Sequence, residues 1–291
     1  MQALARTETM AWGLIAAWLV VTLTSFFAPA VLSANAARYV NVVLLSAFTL
    51  VHGARRYGGA GIAVYFVIAV VVTNLFENLS IVTGFPFGAY HHTAAMGPRI
   101  WHVPIIVGPI FAVAGYLAWQ LAGILLGDVF GAPRADVALA RPVIAAFVTT
   151  SWDLCVDAIG GTVNRDWVWA DGGAWFGVPW LNFFGWMLTM WVIFQLFALY
   201  QVRRDPPETI PARSPYWLQV VVYWALIGLQ FPLLAVLVPN AMLTDPAGGT
   251  WHMQDLFTSM ALTSVFTMLF TALLAGCVLA RRREAAGTSE R

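Results

Sequence analysis

The sequence contains no lysine, and all fifteen of its basic residues are arginines. A retinal-type chromophore needs a lysine amine for its Schiff base, so light-driven chemistry of that kind is excluded. Charged residues are also scarce, at 10% of the 291 residues, whereas a soluble globular protein contains roughly 25%. Because 60% of the residues are hydrophobic, this scarcity indicates an all-α membrane protein rather than a series of soluble domains.

Cysteine and histidine are sparse as well. Cys155 and Cys277 both fall in apolar segments, so a disulfide is not expected. The five histidines are too few for the spaced histidine boxes of diiron membrane oxygenases. His91 and His92 are adjacent, and adjacent side chains point in different directions. We therefore predict no metal site and no cofactor, with one of these two histidines bonded to a carboxylate and the other facing water.

Long apolar segments make up most of the chain. A helix needs roughly 20 apolar residues to span a bilayer. Eight segments meet this criterion: 10–29, 35–53, 60–83, 100–127, 139–162, 181–201, 214–238 and 254–280. We predict about eight transmembrane helices in one bundle, a single integral membrane domain over residues 1–291 that ends in a polar tail at 281–291. The net charge of +1, without a basic patch, gives no indication of nucleic-acid binding.

Arginine placement predicts the orientation of the bundle, because cytoplasmic loops carry an excess of basic residues. One side of the predicted bundle holds twelve arginines and the other side holds three. The poor side carries Arg38, Arg99 and Arg165. The rich side carries Arg6, Arg55, Arg56, Arg134, Arg141, Arg203, Arg204, Arg213, Arg281, Arg282, Arg283 and Arg291. We therefore expect a protein of the cytoplasmic membrane with both termini on the cytoplasmic side. The long loops 84–99 and 163–180 are then expected on the outer side.

Two carboxylates lie inside the fifth apolar segment. Asp153 and Asp157 are four residues apart, so on a helix they share a face, with Thr149 one turn below. An ionisable side chain at membrane depth is costly when unpaired, which makes it a functional candidate. The alternative is a pair of helix-end carboxylates that face interfacial water. That alternative suits Asp157 better than Asp153, which lies about 6 Å deeper.

A second polar stripe lies in the third apolar segment. Asn74, Glu77 and Asn78 fall at helical positions i, i+3 and i+4 and so share one face. Interhelical hydrogen bonding is the plainer interpretation of such a stripe, but it rarely needs a carboxylate beside two amides. We expect Glu77 at a depth similar to that of Asp153 and Asp157, in the outer half of the bundle.

Aromatic residues crowd the loop between the fifth and sixth segments and its surroundings: Trp152, Trp167, Trp169, Trp175, Phe176, Trp180, Phe183, Phe184 and Trp186. An interfacial aromatic belt explains part of this group. It does not explain the density around one loop, or the position of Trp152 beside Asp153. Aromatic faces stabilise cations, so carboxylates and ring faces in an apolar cavity suit chemistry on a polyene through a carbocation.

The order and spacing of several motifs resemble a known family. The motifs are Asn74-x-x-Glu77-Asn78, Thr83-Gly84-Phe85-Pro86-Phe87-Gly88-Ala89-Tyr90, Trp152-Asp153-Leu154-x-x-Asp157, Trp167-x-Trp169, Gly177-Val178-Pro179 and Asn182-Phe183-x-Gly185-Trp186. They resemble the carotenoid biosynthesis family of membrane hydratases, which includes the bisanhydrobacterioruberin hydratases and the gamma-carotene 1′,2′-hydratases. The resemblance covers residues 70–190. It implies addition of water to the terminal C1′,2′ double bond of an acyclic carotenoid, which gives a tertiary alcohol.

The residues fit this chemistry independently. Water adds to an isolated alkene only after an acid has protonated it, and water then captures the tertiary cation. A buried, neutral carboxylic acid can supply the proton, and a second carboxylate can hold the water. We predict Asp153 as the proton donor, with Asp157 or Glu77 positioning water and Trp152 shielding the cation. The other predicted substrate-binding residues are Asn74, Asn78, Tyr90, His91, Trp175, Asn182 and Trp186.

Three other functions remain open on the sequence alone. A membrane prenyltransferase acting on a carotenoid end also uses intramembrane aspartates, but it needs two Asp-rich motifs that bind Mg²⁺-diphosphate, and one Asp-x-x-x-Asp is present. A proton-coupled transporter of an apolar substrate would use the acids as a relay. A carotenoid-binding protein would have no chemistry. The partners that we expect are an acyclic carotenoid, water, the lipid bilayer and other carotenoid biosynthesis enzymes.

Overall fold

The structure is a computed structural model that describes residues 2–130, 137–204 and 208–288. Helices dominate it, and short two- or three-residue strands lie in the loops. The helices are α1 (Gln2–Phe27), α2 (Ala34–Thr83), α3 (Val107–Leu126), α4 (Val137–Asp157), α5 (Trp180–Val202), α6 (Pro215–Leu237), α7 (Met253–Ser264) and α8 (Phe270–Thr288). The strands are β1 (Tyr90–His92), β2 (Arg99–Ile100), β3 (Val103–Pro104), β4 (Trp167–Trp169), β5 (Met242–Thr244) and β6 (Thr250–His252).

Helix α2 is folded back on itself at Gly58. This residue has φ 69° and ψ 166°, a conformation that only glycine adopts readily. A Cβ atom added at Gly53 would lie 2.4 Å from Cδ1 of Ile62, although nine residues of continuous helix would rise about 13.5 Å. The chain therefore reverses at Gly58, and α2 consists of a first arm, residues 34–57, and a second arm, residues 59–83.

Within the described residues, seven helical segments are long and apolar enough to cross a membrane. Two of them are irregular. The 50-residue α2 supplies two crossings through its two arms. A π-helical stretch, Val265–Leu269, joins α7 and α8 into one crossing. The predicted all-α polytopic fold is thus confirmed, with crossings that match the eight apolar segments of the sequence.

The two ends of the bundle differ in their polar contacts. At the inner end, Arg55 Nη1 donates to Glu8 Oε1 at 2.6 Å, and Arg283 Nε donates to the carbonyl of Ala212 at 3.2 Å. Helices α1 and α8 therefore begin and end at this arginine-rich side. Arg134 and Arg291 lie outside the described residues. The predicted polar tail, as far as residue 288, continues α8 as helix; the cytoplasmic assignment of this end stays a prediction.

A buried polar network ties the inner halves of α2, α3 and α6 together. His52 Nδ1 lies 2.6 Å from the Tyr116 hydroxyl, and His52 Nε2 lies 3.0 Å from the carbonyl of Tyr216. Gln120 Nε2 donates to both tyrosine hydroxyls at 2.9 Å. Because each of these groups has a partner, burial of the network is not costly. The network holds the inner halves of these three helices together.

The two long loops meet at the outer end. Strand β1 of the first loop pairs antiparallel with β4 of the second, with Tyr90 opposite Trp169 and His92 opposite Trp167. Alternation along a strand turns Tyr90 and His92 to the buried side and leaves His91 exposed. The β5–β6 hairpin adjoins this pair, and Arg165 Nη2 donates to the carbonyl of Thr244 at 3.0 Å. The paired loops form the roof of the bundle.

Candidate active site

A cavity of about 330 Å³ lies in the outer half of the bundle, beneath the β1–β4 pair. Its walls come from both arms of α2 and from α1, α3, α4, α5 and α6. Most of the lining is apolar: Trp18, Val42, Leu45, Val107, Ile110, Phe111, Val113, Ala114, Leu117, Trp152, Val156, Trp186, Trp224, Ile227, Phe231 and Leu234 belong to it. The polar lining side chains gather towards the roof, where they form two acidic groups and an ion pair.

The first acidic group is built on Glu77, from the second arm of α2. The Tyr90 hydroxyl donates to Glu77 Oε2, and His92 Nε2 lies 3.0 Å from the same oxygen. All three side chains are buried and line the cavity. Burial and the neighbouring Glu77 carboxyl raise the pKa of the Tyr90 phenol well above its usual value. The phenol therefore keeps its proton and acts as a donor to Glu77.

Two atoms of this group can each take a further hydrogen bond, at separate places. Both bonds end on Oε2 of Glu77, so Oε1 can accept another hydrogen bond. His92 Nδ1 is buried and has no hydrogen-bond partner among the described residues. A buried polar atom without a partner is unusual and is satisfied by water in many proteins.

The second acidic group joins α4 to the start of α5. Asn182 Nδ2 donates to Oδ2 of Asp157 and lies 3.2 Å from Oδ2 of Asp153. Asp157 lines the cavity, whereas Asp153 is fully buried behind it and does not. Oδ1 of Asp153 has no partner within the described part of the chain. Two carboxyl groups that share one amide in an apolar bundle are costly to ionise together.

Local backbone structure orients Asp157. Helix α4 ends at this residue, and a π-helical turn, Ala158–Val163, continues from it. Such turns are rare and occur frequently at functional sites. A Cβ atom added at Gly160 would lie 2.2 Å from Cη2 of Trp167, so the glycine allows the indole of β4 to lie directly on the turn. The roof and α4 are thus in contact beside the acid.

Aromatic rings form the wall next to the acids. Trp186 stacks on Phe111 with ring centroids 3.7 Å apart and meets Trp152 edge-to-face at 5.8 Å. Tyr90 lies 4.7 Å from Trp169 in a tilted arrangement. All five rings line the cavity. The wall therefore presents electron-rich faces to whatever occupies the space between Asp157 and Glu77.

A bidentate ion pair stands at the outer rim of the cavity. Arg38 Nη1 and Nη2 donate to the two carboxylate oxygens of Asp166 at 2.9 and 2.6 Å. Nη1 also lies 3.1 Å from the Met96 sulfur. The pair links the first arm of α2 to the loop after α4, and it neutralises the arginine that lines the cavity. The rim is consequently polar but carries little net charge.

Four of the predicted substrate-binding residues do not line this cavity, and their role in substrate binding stays a prediction. Asn74 and Asn78 donate to the carbonyls of Val70 and Asn74 at 2.9 and 2.7 Å, and Asn78 Oδ1 accepts from the backbone N–H of His102. These amides serve the helix and the roof. Trp175 Nε1 donates to the carbonyl of Leu154 at 3.0 Å, and His91 is exposed on β1.

The structure brings together Asp157, Glu77, Tyr90, Trp152, Asn182 and Trp186 from the predicted set, with Asp153 immediately behind them. His92, Arg38 and Asp166 also line the cavity, although they are not among the predicted site residues. Alternate residues of a strand share a face, so the prediction of Tyr90 as a site residue could also have indicated His92. Among the described residues, no three His, Cys, Asp or Glu side chains are close enough to one another to hold a metal ion.

Fold and site together define a polytopic membrane protein with an apolar cavity that carboxyl groups and aromatic rings line. A family model described as "Carotenoid biosynthesis protein" matches residues 37–245, which include both acidic groups and the paired loops. The chain belongs to this carotenoid biosynthesis family. Comparisons with curated proteins and with solved structures gave no match.

Proposed function

We propose that this protein is a carotenoid hydratase, a hydro-lyase that adds water to the terminal C1′,2′ double bond of an acyclic carotenoid. One observation carries the proposal: Asp157 and the Glu77–His92 pair line one apolar cavity walled by aromatic rings. An apolar cavity suits a polyene end, and two separate carboxyl groups suit the two proton transfers of hydration. Family membership supports a role in carotenoid synthesis.

Asp157 is the proton donor in this proposal, in place of Asp153. Asp157 lines the cavity, and Asp153 lies behind it. Because both carboxyl groups contact Asn182, retention of one proton between them avoids the cost of two buried charges. The acid O–H bond breaks and a C–H bond forms at C2′. The π electrons of the double bond form that C–H bond, which leaves a tertiary cation at C1′.

Glu77 binds and deprotonates the water, and His92 orients its carboxyl group. A water bound to Oε1 of Glu77 would use the oxygen that Tyr90 and His92 leave free, while His92 Nε2 stays on Oε2. Its oxygen forms the C1′–O bond, and Glu77 takes the proton that the water loses. Solvent exchange then returns a proton to the aspartate pair, so the net change is the addition of one water to the carotenoid. No cofactor enters this balance.

The aromatic wall acts on the cation between these two steps. Ring faces stabilise a desolvated cation by about 2 kcal/mol or more, and Trp152, Trp186 and Phe111 lie beside the aspartate pair. The wall also limits water to the polar end of the cavity. We place the reaction in the cytoplasmic membrane, after enzymes that form the acyclic end.

Pigment analysis in a host that accumulates acyclic carotenoids tests this function. Expression of the chain is expected to add the mass of one water per reacted end, and Asp157→Asn is expected to abolish the gain. Asp255→Asn, which changes an exposed carboxylate at the start of α7, is the matched control and should behave as the wild type. Unchanged pigments across several acyclic carotenoids would contradict a hydratase. A gain of an isoprenyl unit would indicate a prenyltransferase instead.

A further inference from the structure

Helices α1 and α6 form one wall of the cavity. Among the described residues, the hydrogen bonds and ring contacts between these two helices lie only in their inner halves. Gln219 Nε2 of α6 donates to the carbonyl of Glu8 in α1 at 3.0 Å, and Trp18 meets Tyr223 edge-to-face at 5.3 Å. Beyond this level both helices continue outward for two or more turns, with the cavity between them.

The outer end of α1 is held by a different helix. Asn41 Nδ2, from the first arm of α2, donates to Thr22 Oγ1 at 3.0 Å. This bond holds the outer half of α1 against α2. Phe26 lies one turn further out and lines the cavity while it remains partly exposed.

A proline lies in the outer half of α6. Pro232 has no N–H, so the carbonyl of Gly228 loses its helical partner and α6 can bend at this point. Ser264 Oγ of α7 donates to that carbonyl at 2.8 Å. The carbonyl that Pro232 leaves free is therefore bonded to α7, on which α6 packs, and not to α1. Leu234, beyond Pro232, lines the cavity and is also partly exposed.

Both outer halves face lipid on the side turned away from the cavity, where Val20 and Phe27 of α1 are 63% and 62% exposed and Val236 of α6 is 82% exposed. Such apolar exposure is expected of residues that contact acyl chains. The space between the two halves is bounded by Phe26 and Leu234, which line the cavity and remain partly exposed. A cavity of about 330 Å³ is near the lower limit of pockets that hold small ligands, about 300–1,000 Å³. A carotenoid is a stiff polyene much longer than this cavity.

We propose that the opening between the outer halves of α1 and α6, bounded by Phe26 and Leu234, is a lateral portal for the polyene. The reactive end enters the cavity from the bilayer through this opening. The adjoining part of the polyene then lies between the two helices, and the remainder stays in the lipid. The inference rests on the proposed function for the substrate class. It goes beyond that function by assigning a route and a second binding surface.

A substitution that narrows the portal tests it. Leu234→Trp adds bulk between α1 and α6, and Val236→Trp adds the same bulk two residues away on the lipid-facing side. Purified variants are given an acyclic carotenoid and, separately, a short acyclic terpene with the same end group. The short terpene has no long chain that must remain in the opening. Leu234→Trp is expected to lower the carotenoid-to-terpene rate ratio by about tenfold or more, while Val236→Trp leaves the ratio at the wild-type value.

An unchanged ratio in Leu234→Trp, or an equal fall in both variants, would overturn the portal. A wild-type protein that hydrates neither substrate would contradict the proposed function, and the portal is then tested by carotenoid that co-purifies with the protein. Loss of bound carotenoid in Leu234→Trp, but not in Val236→Trp, supports the portal without any turnover. Equal amounts of bound carotenoid in both variants and the wild type, or none in any of them, would overturn it.

Discussion

Asp157 and Asp153 have the same chemistry but different surroundings. The pair is four residues apart on α4, and Asn182 contacts both carboxyl groups. One turn of helix nevertheless places Asp157 against the cavity and Asp153 against the interior of the bundle. The role of each acid therefore follows from which neighbours it meets, and the two substitutions to asparagine should not have equal effects.

Asp157→Asn is expected to lower the hydration rate by about 100-fold or more, because general acid catalysis contributes about 10²–10⁴-fold. Asp153→Asn removes only the partner that shares a proton with it, so a smaller loss is expected. Initial rates with the purified variants measure both effects. A larger loss for Asp153→Asn would assign proton donation to Asp153 instead.

Glu77→Gln is expected to separate protonation from water capture. The acid at position 157 remains, so the cation still forms, but no base at residue 77 removes the proton of the attacking water. The cation then loses a proton and returns to an alkene. In deuterium oxide, the recovered carotenoid should gain deuterium without gaining water, as measured by mass spectrometry. Asp157→Asn is the matched control and should show neither change; hydration at the wild-type rate in Glu77→Gln would rule out this role.

At the scale of elements, the π-helical turn after α4 positions the site. The turn Ala158–Val163 carries Gly160 against the indole of Trp167, and β4 carries Trp167 opposite His92 on β1. The packing of this turn on the strands, in which Gly160 against Trp167 is the tightest approach, connects the helix that bears Asp157 to the strand pair that bears Tyr90 and His92. The relative position of the two acidic groups depends on this packing.

Gly160→Ala is expected to weaken both activity and stability. The new Cβ atom would lie 2.2 Å from Trp167, so the roof must shift, and overpacking of this kind costs about 1–3 kcal/mol. Gly276→Ala in α8 is the control, because a Cβ atom there meets nothing within 4 Å. Thermal unfolding in detergent and hydration rates measure the outcome. Equal behaviour of the two variants would show that the contact does not position the site.

The whole molecule is a bundle with an arginine-rich inner end and a roofed outer end that holds the candidate site. The distribution of arginines predicts that the roof lies outside the cytoplasm. Ala247 lies exposed in the β5–β6 turn at the roof, and Thr209 lies exposed in the α5–α6 connection at the inner end. These two positions report the orientation directly.

Single cysteines at these positions test the orientation in intact cells, in a Cys277→Ala background. A membrane-impermeant maleimide is expected to label Ala247→Cys without permeabilisation and to label Thr209→Cys only after it. Cys155 is buried and should not react. Labelling of Thr209→Cys alone in intact cells would place the roof and the proposed chemistry on the cytoplasmic side.

The sequence predicts the bundle well because apolar length is a local property. It also identifies Asp153, Asp157 and Glu77, since helical spacing and membrane depth are local as well. The sequence places His91 among the substrate-binding residues, whereas His92 lines the cavity. That difference depends on pairing between β1 and β4, whose residues are far apart in the chain. Asn74 shares a helix face with Glu77, and only tertiary packing decides that Glu77 alone reaches the cavity.

Isotope incorporation by the purified protein tests the central claim most directly. The protein would be incubated with an acyclic carotenoid in oxygen-18-labelled water and, separately, in deuterium oxide. Acid protonation followed by water capture predicts one labelled oxygen at C1′ and one deuterium at C2′ for each reacted end. A hydroxylated product without deuterium at C2′, or with oxygen that does not come from water, would contradict the proposed mechanism.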